Sequence, residues 1–154
     1  MRLAEHPSSS PYQQGLDRNP ANYAPLTPIS FLERTADVFP KRIAVIHGPW
    51  RADYAELRAR CRRLASALER HGVRPGDTVA LMLPNVPAML EAHYGIPMAG
   101  AVINALNVRL EAETIAYILQ HGEAKVLLTD TEYSAVIKDA LGRLERRPLV
   151  VDVV

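Results

Sequence analysis

The sequence predicts an α/β domain, a mostly parallel sheet with helices packed on its flanks. Three observations carry that reading. Short apolar runs, Val79 to Leu83, Ala101 to Ala105, Val126 to Thr129 and Leu149 to Val154, are too short for helices and are bounded by Pro, Gly or Asp. Between them lie segments of roughly 10 to 15 residues whose apolar positions recur at helical spacing. Strands and helices that alternate in this way are joined by right-handed crossovers, which lay successive strands parallel.

Residues 1–26 carry Pro, Ser, Asn and Gln without a hydrophobic period, so they read as an extended N-terminal arm ahead of a domain over residues 27–154. Thr27 is placed to cap orphan amides and Pro28 to start a helix, and Ile29, Leu32 and Ala36 give it one apolar face as far as Val38. Ile43 to Ile46 is a short β-prone run that ends at Gly48-Pro49, with a return strand from Arg51 to Asp53. Asp53 followed by Glu56 has capping-box spacing, and Leu57, Cys61, Leu64, Ala65 and Leu68 form the stripe of a helix that stops at Gly72. After the turn Arg74-Pro75-Gly76-Asp77 comes the Val79 strand, then Asn85 as N-cap of a helix kinked by Pro97 and stopped by Gly100.

The strand Ala101 to Ala105 leads through a loop at Asn107 to Leu110 into a helix with Ile115, Ile118 and Leu119 inward and Gly122 as terminator. The Val126 strand follows, and Asp130 or Thr131 can cap a last helix bearing Ala135, Val136, Ala140 and Leu144. The closing run Leu149 to Val154 has the composition of a strand buried on both faces, yet no further element follows to cover it, so the domain reads as incomplete.

Composition narrows the function classes. Lys and Arg total 18 against 17 Asp and Glu, a net charge of +1, so no nucleic acid partner is expected. The N-terminus has Glu5, His6 and prolines where a secretory signal needs an apolar stretch, and no run reaches the roughly 20 apolar residues of a membrane span. With a single cysteine, Cys61, the chain forms no internal disulfide, and a cytoplasmic location is expected.

Candidate chemistry is sparse. The turn after the Val79 strand is Pro84-Asn85-Val86-Pro87, whose two prolines remove amides that a phosphate cradle would use, and no Gly-rich loop with a Lys is present. Asp53 and Glu56 fit capping better than general acid–base work, and His71 and His121 sit at helix ends where an imidazolium meets the negative end of the dipole. His93 and Glu91 lie two apart, on different helix faces, and make no metal pair. Cys61 lies on an apolar stripe and reads as core. Asn107 and Arg109 are the best binding candidates, because loops outside the carboxyl ends of parallel strands are where ligands bind; the competing reading of Arg109 is a surface salt bridge. No catalytic, cofactor-binding or metal-ligating residue is assigned.

Particular strings matter beyond periodicity: Leu26-Thr27-Pro28 with Phe31-Leu32-Glu33-Arg34, Ala44-Val45-Ile46-His47-Gly48, Tyr54-Ala55-Glu56-Leu57, Gly76-Asp77-Thr78-Val79-Ala80, Leu83-Pro84-Asn85-Val86-Pro87, Glu91-Ala92-His93-Tyr94-Gly95, Met98-Ala99-Gly100-Ala101-Val102 and Asn107-Val108-Arg109-Leu110. Together, in this order, they resemble the N-terminal subdomain of the acyl-adenylate-forming (AMP-binding) enzymes, acyl-CoA synthetases in particular. The likeness runs from Asn22 to Asp130 and is strongest to plant acyl-activating enzymes and bacterial medium-chain or 3-methylmercaptopropionyl-CoA ligases. Asp53 departs from the usual Thr, but either residue caps a helix.

The resemblance implies an incomplete N-terminal subdomain of that fold, cut before the phosphate loop. It implies a longer parent that uses ATP, Mg²⁺ and CoA to convert a small carboxylic acid into its acyl-CoA, releasing AMP and pyrophosphate. The family's Gly-rich loop, acidic adenylate-binding stretch and catalytic Lys would lie beyond Val154. The chain alone is therefore expected to be inactive and to hold no cofactor, its partner being the remainder of the same polypeptide; a homodimer of the parent is compatible with this. The alternative is a free-standing, non-catalytic α/β binding module.

Overall fold

The computed structural model describes residues 15, 17, 19, 23, 24 and 26–153, so the expected arm lies almost wholly outside the described residues. The first helix, α1, spans Pro28–Val38. At its start Thr27 is extended, its hydroxyl accepts from the Ser30 amide at 3.2 Å, and the Ser30 hydroxyl accepts from the Thr27 amide at 3.2 Å. Two orphan donors are thus satisfied reciprocally. A hairpin of β1 (Ile43–His47) and β2 (Trp50–Asp53) follows, closed through Gly48, whose φ of 55° is cheap only for glycine. Asp53 then caps α2 (Tyr54–Arg70), accepting from the Glu56 amide at 2.8 Å.

The remaining elements alternate: β3 (Thr78–Met82), α3 (Pro87–Met98), β4 (Val102–Ala105), α4 (Ala112–His121), β5 (Ala124–Asp130), a 3₁₀ turn (Thr131–Tyr133), α5 (Ser134–Gly142) and β6 (Leu149–Val153). The four strands form one parallel sheet in the order β4-β3-β5-β6, with Val79 beside Ile103 and Val126, and Leu128 beside Val151. The predicted α/β class and parallel sheet with flanking helices are what the structure contains. Pro97 falls in the last turn of α3, one residue before its end.

Because strand side chains alternate between faces, β3 and β5 feed two separate cores. Val79, Leu81, Val126 and Leu128 meet Leu68 of α2 and Ala92 and Ile96 of α3 on one face. Ala80, Met82 and Leu127 meet Ile115 and Leu119 of α4 and Ile137 and Ala140 of α5 on the other. A smaller cluster of Leu32, Leu57 and Cys61 fastens α1 and the hairpin onto α2.

The edge strand β6 is only partly covered. It pairs with β5 along one side, but Leu149 is 43% and Val151 is 40% exposed, and its other side meets no strand among the described residues. Composition marks a strand as apolar; only neighbouring layers can bury it. No described helix is long and apolar enough to cross a membrane.

Helices α2 and α3 cross closely at Gly95, where an added Cβ would lie 2.8 Å from Leu64 Cδ2 and 2.9 Å from the Cys61 carbonyl oxygen. The backbone oxygen cannot rotate away, so the helices must separate. Gly95→Ala should therefore destabilise the chain by about 1–3 kcal/mol. By contrast Gly142→Ala, which meets nothing within 4 Å at the end of α5, should be neutral or stabilise by a few tenths of a kcal/mol. Urea unfolding of both variants checks the contrast, and equal midpoints would contradict it.

Candidate functional site

The sheet's connectivity creates one natural crevice. The chain leaves β3 for α3 on one face and leaves β5 for α5 on the opposite face, so adjacent connections diverge at the carboxyl ends of β3 and β5. Ligands bind at such switch points because no backbone crosses the gap and the last amides of the strands face it. The walls are Leu83–Val86 and Asp130–Tyr133. At its base the buried Thr129 hydroxyl donates to the Met82 carbonyl at 3.2 Å, tying the two strands together. One Asp130 carboxylate oxygen is already engaged, accepting from the Glu132 amide at 2.9 Å.

The loop after β4 lies on the same carboxyl edge, one strand further along. Its entry is fixed by the buried Leu106, whose amide donates to the Leu81 carbonyl at 2.8 Å. The Asn107 side chain then accepts from the Arg109 amide at 2.9 Å, a local turn that competes with helix and holds the loop open. Val108 and Leu110 pack onto the core, whereas Arg109 is exposed. Among the described residues its guanidinium makes no ion pair or hydrogen bond.

A cleft of about 440 Å³ opens beside the start of α3, between Val45, Ile46 and His47 of the hairpin and Asn85, Met89 and His93. Here the structure corrects the sequence: Asn85 is not the cap of α3. Val86 occupies that position without any side-chain hydrogen bond, and Pro87, at the first helical position, has no amide to satisfy. Asn85 is displaced one residue outward and lines the cleft instead. His93 places its Nδ1 2.8 Å from the Met89 carbonyl one turn back, so a neutral ring carries its proton there and leaves Nε2 free.

A second cavity of about 480 Å³ lies at the opposite, amino end of the strands, bordered by Asp77, His121, Lys125 and Arg146. Lys125 Nζ lies 2.7 Å from Asp77, and the Arg74 amide donates to the same oxygen at 2.6 Å. The Lys125 hydrogen bond first, then the Arg74 amide, hold the Asp77 carboxyl below its ordinary range. Although larger, this cavity is the weaker candidate, since no strand connections diverge there.

The other residues singled out from sequence are structural. Glu56 is only half of a capping box: its amide is capped by Asp53, but its carboxylate turns to Arg63 at 3.0 Å and Arg60 at 4.0 Å. Asp53 is already paired with Ile43 across the hairpin and does not receive it. Glu91 is buried and meets Arg60 at 2.5 Å, and Arg60 also lies 5.5 Å over the Trp50 ring. Nothing local announced this pair, which is brought together from positions 31 apart by the α2–α3 crossing.

Cys61 is fully buried, and desolvation first, then the Glu91 charge, push its thiol up to about 12. His71 caps the end of α2, and His121 closes α4 while stacked on Tyr117 at 5.4 Å. No group of three potential metal ligands occurs among the described residues.

Residues 32–154 match the family described as AMP-binding enzyme. A peroxisomal acetate/butyrate–CoA ligase of Arabidopsis thaliana is 46% identical over 143 residues, which cover 88% of this chain and 25% of that protein. An acetate–CoA ligase of Humulus lupulus is 48% identical over 126 residues, 82% of this chain and 22% of that protein. Among solved structures, a benzoate CoA ligase from Burkholderia xenovorans aligns with a TM-score of 0.74 at 27% identity, covering 80% of this chain and 25% of that one. The N-terminal domain of FACL13 from Mycobacterium tuberculosis aligns with a TM-score of 0.73 at 31% identity, covering 82% and 33%.

The chain thus spans about a quarter of the length of the curated relatives it matches. The peroxisomal name of the Arabidopsis ligase overturns the cytoplasmic location expected from composition. Such an address is a short signal read by a receptor, and neither net charge nor the lack of an apolar leader reports on it.

The raised thiol gives a test of Cys61 as a core residue. A thiol-specific reagent at pH about 8.5 should label the native chain no faster than it unfolds, because only the thiolate reacts. Since folding raises this group's value, its contribution to stability is complete below about 9 and is lost as pH rises towards about 12. Rapid stoichiometric labelling of the folded chain would contradict the burial.

Proposed function

The chain belongs to the AMP-binding enzyme family, and from that premise we propose that it forms the N-terminal part of an ATP-dependent acyl-CoA ligase. In that reaction a carboxylate attacks the α-phosphate of ATP, pyrophosphate leaves, and the CoA thiol displaces AMP from the mixed anhydride to give the acyl-CoA. The relatives named for acetate and butyrate support a small carboxylic acid as the substrate. The observation that carries the reading is the match over residues 32–154, because it runs through all four parallel strands, including β3 and β5 whose carboxyl ends build the crevice.

The chain's own contribution is a rigid floor and one wall. Thr129 and Met82 lock β5 to β3, and the Asn107 turn presents Arg109 along the carboxyl edge. Among the described residues no cluster of three potential metal ligands occurs, and two prolines flank the β3 turn. Mg²⁺ does not fit the residues present, and no step is assigned through it. ATP, Mg²⁺ and CoA belong to the reaction of the longer polypeptide.

Two assays test this. The 154-residue chain alone should show no carboxylate-dependent ATP–pyrophosphate exchange with acetate, butyrate or benzoate. A polypeptide that begins with this chain and continues through its reading frame should show exchange with at least one of them. Exchange by the chain alone would refute its role as scaffold, and none from the extended polypeptide would refute the ligase assignment.

A further inference from the structure

We propose that the cleft between the hairpin and α3 binds a small apolar alcohol, held by its hydroxyl group on His93 and Asn85. The cleft lies outside the crevice between β3 and β5 and shares with it Asn85 and Val86 of the connection that leaves β3. Its volume of about 440 Å³ falls within the roughly 300–1,000 Å³ of small-molecule sites, which are mostly apolar with a few placed polar groups. Here Ile46 on the hairpin wall is 65% exposed and Leu90 on the helix wall is 37% exposed, and Val45, Val86 and Met89 extend the apolar lining.

The polar groups decide the class of ligand. His93 donates its Nδ1 proton to the Met89 carbonyl at 2.8 Å, so the atom it offers the cleft is the Nε2 lone pair, an acceptor. Asn85 offers both an amide donor and a carbonyl acceptor, and His47 a second imidazole. A hydroxyl group donates to Nε2 while accepting from Asn85. A carboxylate or ketone has no proton for Nε2 and leaves that lone pair desolvated without a partner.

The two walls are also braced against each other. His47 pairs with Trp50 across the hairpin, and the Arg60 guanidinium lies 5.5 Å over the Trp50 ring. Arg60 in turn meets the buried Glu91 at 2.5 Å, one residue after Leu90 and two before His93 in α3. Hairpin and helix are thereby held at a set separation before a ligand arrives, which lowers the ordering cost of binding.

The test titrates the 154-residue chain with cyclohexanol and with cyclohexanone, the same ring without a donor, and follows the backbone amides by NMR. Cyclohexanol should bind saturably and shift the amides of Ile46, His47, Asn85 and Leu90. Its Kd should lie at least about ten-fold below that of cyclohexanone, equivalent to about 1.4 kcal/mol. His93→Leu should remove this preference by weakening the alcohol relative to the ketone, and Ile46→Asp, on the opposite wall, should weaken both. No saturable cyclohexanol binding, equal affinities for the two rings, shifts centred elsewhere, or a preference that survives His93→Leu would each overturn the site, whatever the exchange assays return.

Discussion

The central strand β3 governs the architecture, because Val79, Ala80, Leu81 and Met82 have no exposed surface at all. A strand between two parallel neighbours, covered on both faces, can expose no polar side chain, and these four residues offer none. Burying a side chain of the size of Val, Leu or Met contributes about 1.5–3 kcal/mol each. The exposed ion pairs of α2, such as Arg62 with Glu33, contribute about 0–1 kcal/mol apiece. The double-sided burial of β3 and β5 therefore dominates, and the charged lattice on α2 tunes the surface.

That constraint also decides where chemistry can happen. Two covering layers force the β3 and β5 connections to opposite faces, and the crevice between them follows from the connectivity alone. Fixed points around it, such as Thr129 on Met82 and Leu106 on Leu81, make the carboxyl edge a firm platform. Such firmness suits the scaffold role proposed for this chain.

Legibility from sequence varied with the range of the interaction. Helix α1 was readable to its ends because Thr27, Pro28 and the Ile29, Leu32, Ala36 spacing are local signals. The Asp53 cap was equally local. Asn85 misled because a favoured capping residue stood next to Val86-Pro87, and the proline set the first helical residue one place later. Glu56 misled because its spacing suited a capping box, while Arg60 and Arg63 on the same helix offered its carboxylate a stronger partner.

By itself the sequence determined the class, the order of the elements, the apolar faces and the family, since each is written in spacing and local chemistry along one segment. Only the tertiary structure decided the strand order β4-β3-β5-β6, the Arg60–Glu91 pair beneath Trp50 and the partial exposure of β6. Each of these depends on which distant segments share a face or an edge. Local patterns specify a strand or a helix without naming its neighbour.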